Sequence, residues 1–210
     1  MATPVLLALV GFDKDAVDLV WSAPGFDLAG VFDPVAPVGG TVPAYLGDDA
    51  SWPAALASHP ALKVLLTVDR PAQRGHLAEH YGAAALASII SPAAYIAAGV
   101  VLELGSMVQR GVTVMTDAHL GAACKLHVNA TVHHDSRIGN FCTLAPGALL
   151  LGTVTLEDEV YIGAGAIVLQ NRRIGRGATV GAGAVVTADV AAGVTVVGIP
   201  ARPLDVGGRS

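Results

Sequence analysis

The sequence predicts a small parallel α/β unit over residues 1–86 followed by a parallel β-helix over 87–210, and three observations carry that prediction. First, every sixth residue from Ile90 to Val186 is Ile, Leu or Val, at 17 positions out of 17. If roughly one residue in three were aliphatic, chance would produce such a run about once in 10⁸. Second, a row of mostly small side chains lies four places after each aliphatic, from Ala94 through Ser106, Cys124, Ala130 and Ala148 to Val190, broken only by Arg172. Third, the chain before Ala87 lacks this clock and alternates apolar runs with helical stretches.

A period of six matches neither the helix period of 3.6 nor the strand period of 2, so its unit is one short strand plus one tight turn. Such a unit cannot bury its apolar side alone. Stacked at the strand spacing of about 4.8 Å, three units per coil make a triangular prism whose interior takes the large and the small rows together. Glycine follows the same clock, as in Ile162-Gly163-Ala164-Gly165 and Val180-Gly181-Ala182-Gly183, which places it at corners where φ is restrictive. Cys124 and Cys142 are one coil of 18 residues apart, close enough for a disulfide, although two interior thiols in a reducing compartment is the simpler reading.

The first unit is read element by element. Val5-Leu6-Leu7-Ala8-Leu9-Val10 is a buried-strand run, 15–21 a short helix, 28–32 a second strand and 64–68 a third. Between the last two lie the turn-rich segment 33–49 and a helix over 52–58, and a further helix over 72–81 leads to the β-helix. Strands alternating with helices describe a small Rossmann-like parallel sheet.

Composition excludes several classes. A net charge of −5 with only 12 Lys and Arg argues against a nucleic-acid surface. No apolar run reaches 18 residues and the opening segment lacks a basic start, so neither a membrane span nor a signal peptide is expected, and the expected location is the cytoplasm.

The repeats and three specific segments, residues 132–139 (Val-His-His-Asp-Ser-Arg-Ile-Gly), Ala145-Pro146-Gly147-Ala148 and Val197-Gly198-Ile199-Pro200-Ala201-Arg202, resemble the hexapeptide-repeat acyltransferases. With an α/β unit in front, and with Val31-Phe32-Asp33 and the segment Val42-Pro43-Ala44-Tyr45-Leu46-Gly47-Asp48-Asp49, the chain resembles their sialic acid O-acetyltransferase and bacillosamine N-acetyltransferase group. The resemblance implies a left-handed β-helix, acetyl-CoA as co-substrate without a metal, and a nucleotide-linked amino sugar as acceptor in surface glycan or lipopolysaccharide biosynthesis. It also implies a homotrimer with active sites at subunit interfaces, a sugar-nucleotide-binding role for 1–86 and an acyltransferase role for 87–210.

Acyl transfer needs a base for the attacking group and a donor for the developing oxyanion. Histidine, titrating near 6.5 when free, suits the first task. The family's base matches His134, with Asp135 orienting it, and His133 is the rival. Gly152 lies 18 residues on, one coil above His134 at the same corner, where its N–H faces the reacting carbonyl. His119 and His127 lack the spacing of a zinc site.

For CoA the resemblance points to Gly152, Thr143, Gly163, Gly181, Gly198, Ile199, Pro200 and Arg202, Thr143 standing where many relatives carry a histidine. Arg172, Arg173, Arg176 and Arg202 gather positive charge late in the chain, suited to CoA phosphates or to a solvated face. For the acceptor it points to Gly11, Lys14, Asp33 and Arg74. The segment Gly11-Phe12-Asp13-Lys14-Asp15 departs from the family's glycine-rich turn, keeping Gly11 and setting two carboxylates where phosphate approaches. That departure keeps two alternatives open, an O-acetyltransferase on a free sugar or small hydroxyl acceptor and a non-catalytic β-helical binding scaffold.

Overall fold

The computed structural model describes residues 3–39 and 43–204, so Val42 and the chain beyond 204 lie outside the described residues. Four parallel strands, β1 (Val5–Val10), β2 (Phe26–Phe32), β3 (Tyr45–Gly47) and β4 (Lys63–Leu66), form a sheet in the order β3-β2-β1-β4. Helices α1 (Lys14–Ser22), α2 (Trp52–Ser58) and α3 (Pro71–Tyr81) cover it. The strand period of 2 divides β1 between two layers. Leu7 and Leu9 pack with Val17, Leu19 and Val20 of α1, whereas Ala8 and Val10 pack with Phe32, Trp52, Leu77 and Tyr81. β3 falls inside the segment read from sequence as turns; three residues at a sheet edge are too few to show alternation.

From Ile89–Ile90 to Val185–Val186, two-residue strands recur every six residues, and each residue pairs in parallel with the one a coil above it, as in Lys125↔Thr143↔Tyr161. The prism has three faces. Strands beginning at Ile89, Met107, Lys125, Thr143, Tyr161 and Thr179 form the docking face, which meets the α/β unit. Those beginning at Tyr95, Thr113, Thr131, Leu149, Ile167 and Val185 form an uncharged face, and those beginning at Val101, His119, Arg137, Thr155 and Arg173 form a charged face.

Both interior rows are buried, from Val108 and Val112 through Cys124 and Cys142 to Val186, and the two cysteines are free thiols. Ile90 is the exception to the expected row. It points along the interior but is 40 % exposed, because it belongs to the first coil and no coil stacks on that end. Its neighbour Ile89 points outward and, with Met107, joins the α/β core.

Corners obey a strict rule. Every sixth residue from Gly99 to Gly183 has φ between +51° and +85°, whether it is glycine, as at Gly165, or not, as at Asp117, Asn129 and Asp135. Gly163 is required for a different reason. A Cβ on Gly163 would lie 2.6 Å from the Ala182 nitrogen and 2.7 Å from the Val180 oxygen, so the next coil's backbone occupies the space. We expect Gly163→Ala to cost about 2 kcal/mol, read as a lower urea midpoint, because two coils must part.

Candidate functional site

Two places on the molecule gather residues singled out in the sequence. The first is a cavity of about 560 Å³ at the carboxyl ends of the parallel strands, lined by residues 11–15, Asp33, residues 67–69 and His127. Gly11 turns the chain out of β1 at φ +90°, where a side chain would press on Val68 and Thr67. Asp33, at the end of β2, lines the cavity while its oxygens accept the N–H of Phe12 at 2.9 Å and of Val35 at 3.1 Å. Lys14 is exposed at its rim.

The floor of this cavity is a charge cluster that sequence reasoning did not assemble. Lys125, 1 % exposed along its side chain, donates to Asp13 Oδ2 at 2.7 Å, Asp69 Oδ1 at 2.6 Å and the Thr67 carbonyl at 2.5 Å. His127 Nε2 lies 3.1 Å from Asp69 Oδ1. The hydrogen bond with His127, joined by the Lys125 ammonium, holds the Asp69 carboxyl well below the usual carboxylate range in spite of partial burial.

The second place is the corner between the uncharged and charged faces. There Asp135, in the left-handed conformation, accepts from His134 Nδ1 at 2.8 Å, which leaves Nε2 as the acceptor nitrogen of the ring. Gly152 stands one coil above. A Cβ there would fall 2.7 Å from both Cε1 and Nε2 of His134, so the ring lies directly against a backbone kept bare by glycine. Among the described residues nothing accepts the Gly152 N–H. The His133 ring packs edge-on against that of His134, 5.6 Å between centroids, and among the described residues it has no carboxylate partner of its own.

Two of the residues singled out for ligands, Arg74 and Thr143, lie in the interface between the α/β unit and the prism. Arg74 does not line this cavity: it is fully buried between the α/β unit and the prism. Its donors are spent on the carbonyls of Ala123, Val68, Asp69, Phe141 and Cys142 and on Thr143 Oγ1, at 2.6 to 3.2 Å. Thr143 lies in the same interface, accepting from Arg74 and donating to the Asp69 carbonyl, away from the His134 corner. Three of the four late arginines serve the solvated face: Arg173 pairs with Glu157, Arg176 with Asp158 and Arg172 with Asp189. Gly198 (φ +94°), Ile199, Pro200 and Arg202 form an exposed return whose last strand, Arg202–Pro203, pairs antiparallel with Thr195–Val197. Among the described residues no group of three or more His, Cys, Asp or Glu could hold a metal ion, and no helix is long and apolar enough to cross a membrane.

Comparison with known proteins fixes the class. Residues 153–188 match the bacterial transferase hexapeptide family, described as six repeats. No curated protein matches the chain. Among solved structures it is similar to the acetyltransferase domain of PglB from Neisseria gonorrhoeae, in complex with acetyl coenzyme A, at 27 % identity over 96 % of this chain and 100 % of that one, with a TM-score of 0.87. PerB from Caulobacter crescentus, in complex with CoA and GDP-perosamine, shares 29 % identity over 94 % of this chain and 96 % of its own, with a TM-score of 0.84. WeeI from Acinetobacter baumannii shares 30 % identity over 95 % and 99 %, with a TM-score of 0.82.

Fold and repeat together define an acyltransferase built on a left-handed β-helix. The chain belongs to the hexapeptide-repeat acyltransferases, in the sugar-modifying group that includes sialic acid O-acetyltransferases and bacillosamine N-acetyltransferases.

Proposed function

We propose that this protein transfers the acetyl group of acetyl-CoA to the amino group of a nucleotide-linked amino deoxysugar in surface glycan biosynthesis. The observation that carries the reading is the His134 corner: a histidine held at Nδ1 by Asp135, its other nitrogen against the bare backbone of Gly152. The acceptor amine attacks the thioester carbon while Nε2 of His134 takes its proton. The Gly152 N–H stabilises the oxyanion until the C–S bond breaks and CoA leaves as its thiol, the proton returning from His134. The CoA bound to PglB and PerB and the GDP-perosamine bound to PerB support the choice of co-substrate and acceptor class.

A homotrimer suits where the two places lie. The acceptor cavity opens beside the docking face, at the corner bearing His127, whereas His134 sits at the corner opposite that face. Packing the uncharged face, with Leu149, Ile167 and Val185, around a three-fold axis sets the His127 corner of one subunit against the His134 corner of the next. Each site then takes its acceptor pocket from one protomer and its base from another. Light scattering is expected to give three copies per particle.

The test is thiol release from acetyl-CoA across UDP-, dTDP- and GDP-linked 3-amino and 4-amino deoxysugars, with free sugars as controls. Release with one amino sugar nucleotide supports the reading, and release with free sugars alone transfers it to an unlinked acceptor. That second reading is favoured by one observation, the excess of carboxylates in the cavity, where Asp13, Asp15, Asp33 and Asp69 face Lys14 and Lys125. Gly152→Ala is expected to push the His134 ring out of line and lower turnover by about 10²-fold.

A further inference from the structure

The acceptor cavity contains an anion of its own. The N–H groups at the start of a helix, together with its dipole, make a natural seat for a phosphate. At α1 that seat is taken. Asp13 Oδ1 accepts from the N–H of Asp15 at 2.8 Å and of Ala16 at 3.2 Å. Capping requires only this one oxygen. The second, Oδ2, is gripped at 2.7 Å by Lys125, a residue 112 positions away on the prism and almost wholly buried. The carboxylate is therefore fixed at both oxygens, one by the helix and one by the β-helix.

We propose that Asp13 is a specificity-determining residue: tethered by Lys125, its carboxylate fills the phosphate seat of α1 and sets the cavity against a diphosphate placed there, so that an acceptor is held through its nucleoside and sugar ends. This rests on the reading that the cavity receives the acceptor. The rest of the floor points the same way, since Asp69 and the Thr67 carbonyl take the other two donors of Lys125 and leave none of that ammonium for an incoming phosphate. Removing Asp13 frees one donor while Asp69 and the Thr67 carbonyl keep Lys125 partnered.

Calorimetric titration with GDP, UDP and dTDP, each beside its nucleoside, tests this on the wild type and on Asp13→Ser and Asp13→Asn. Serine and asparagine both cap helices, so α1 is retained, and a melting curve checks each variant. The wild type is expected to bind its preferred diphosphate within about threefold of the nucleoside. In both variants the diphosphate tightens by about tenfold or more and the nucleoside stays within about twofold, because a negative charge at contact distance has been replaced by donors. Unchanged or weaker diphosphate binding in a folded Asp13→Asn protein overturns the proposal, as does a complete lack of diphosphate binding in all three proteins. A gain of diphosphate affinity without any amine-dependent thiol release leaves the proposal standing and removes the proposed acetyl transfer instead.

Discussion

Replacing His134 by alanine lowers turnover by roughly 10² to 10⁴-fold, the range that a positioned general base supplies, and leaves folding and CoA affinity intact. The side chain is half exposed at a corner, so its loss opens no cavity, and the ion pair with Asp135, also half exposed, is worth little to stability. Backbone pairing at that corner, with the Thr153 N–H on the His134 carbonyl at 2.9 Å, is untouched by the substitution. Steady-state kinetics at saturating acetyl-CoA give the number, and His133→Ala measured alongside locates the base, since it is His134 that Asp135 holds at Nδ1. An His134→Ala enzyme within a few-fold of wild type would remove His134 from the mechanism.

Arg74→Ala is the largest expected loss of stability, about 4 kcal/mol. The guanidinium directs its five N–H donors at six acceptors drawn from α3's own approach loop and from two stacked corners and one strand of the prism. Truncation strands those carbonyls in a water-excluded interface, at about 1–3 kcal/mol for each that finds no new partner, and leaves a void beside Phe141 and Gly75. Lysine has three donors and no planar fork, so Arg74→Lys recovers only part of the loss. Chemical unfolding followed by far-UV circular dichroism measures it. A midpoint unchanged from wild type would mean that Ile89, Met107 and the Lys125 contacts hold the α/β unit to the prism without Arg74.

These two residues also divide what the sequence made legible from what it did not. The prism was readable because its interior is one-dimensional: each aliphatic meets the residue 18 positions on, and burial repeats without reference to anything distant. The His134, Asp135 and Gly152 set shares that property, and spacing alone stacks Gly152 on the ring. Arg74 was placed by its position after β4, which says nothing of the direction in which a long side chain runs once a second unit packs on it. Asp13 and Lys125 were beyond reach for the same reason, being joined across 112 residues. A usable sign was present nonetheless. The outward slot of the docking face reads Ile89, Met107, Lys125, Thr143, and two large apolar side chains in succession at an outward position announce that something covers them.

Arg74 has a geometric consequence as well. By gripping carbonyls at Ala123 and at Phe141, which are equivalent corner residues of adjacent coils, it fixes the elevation of the α/β unit along the prism, and Lys125 and His127 set the cavity floor in the coil that also bears His134. Rotation about an axis parallel to the prism preserves elevation. In the proposed ring the pocket of one protomer and the base of the next therefore arrive on one latitude with no sliding of subunits, and an arginine that touches neither substrate acts as the gauge that sets it.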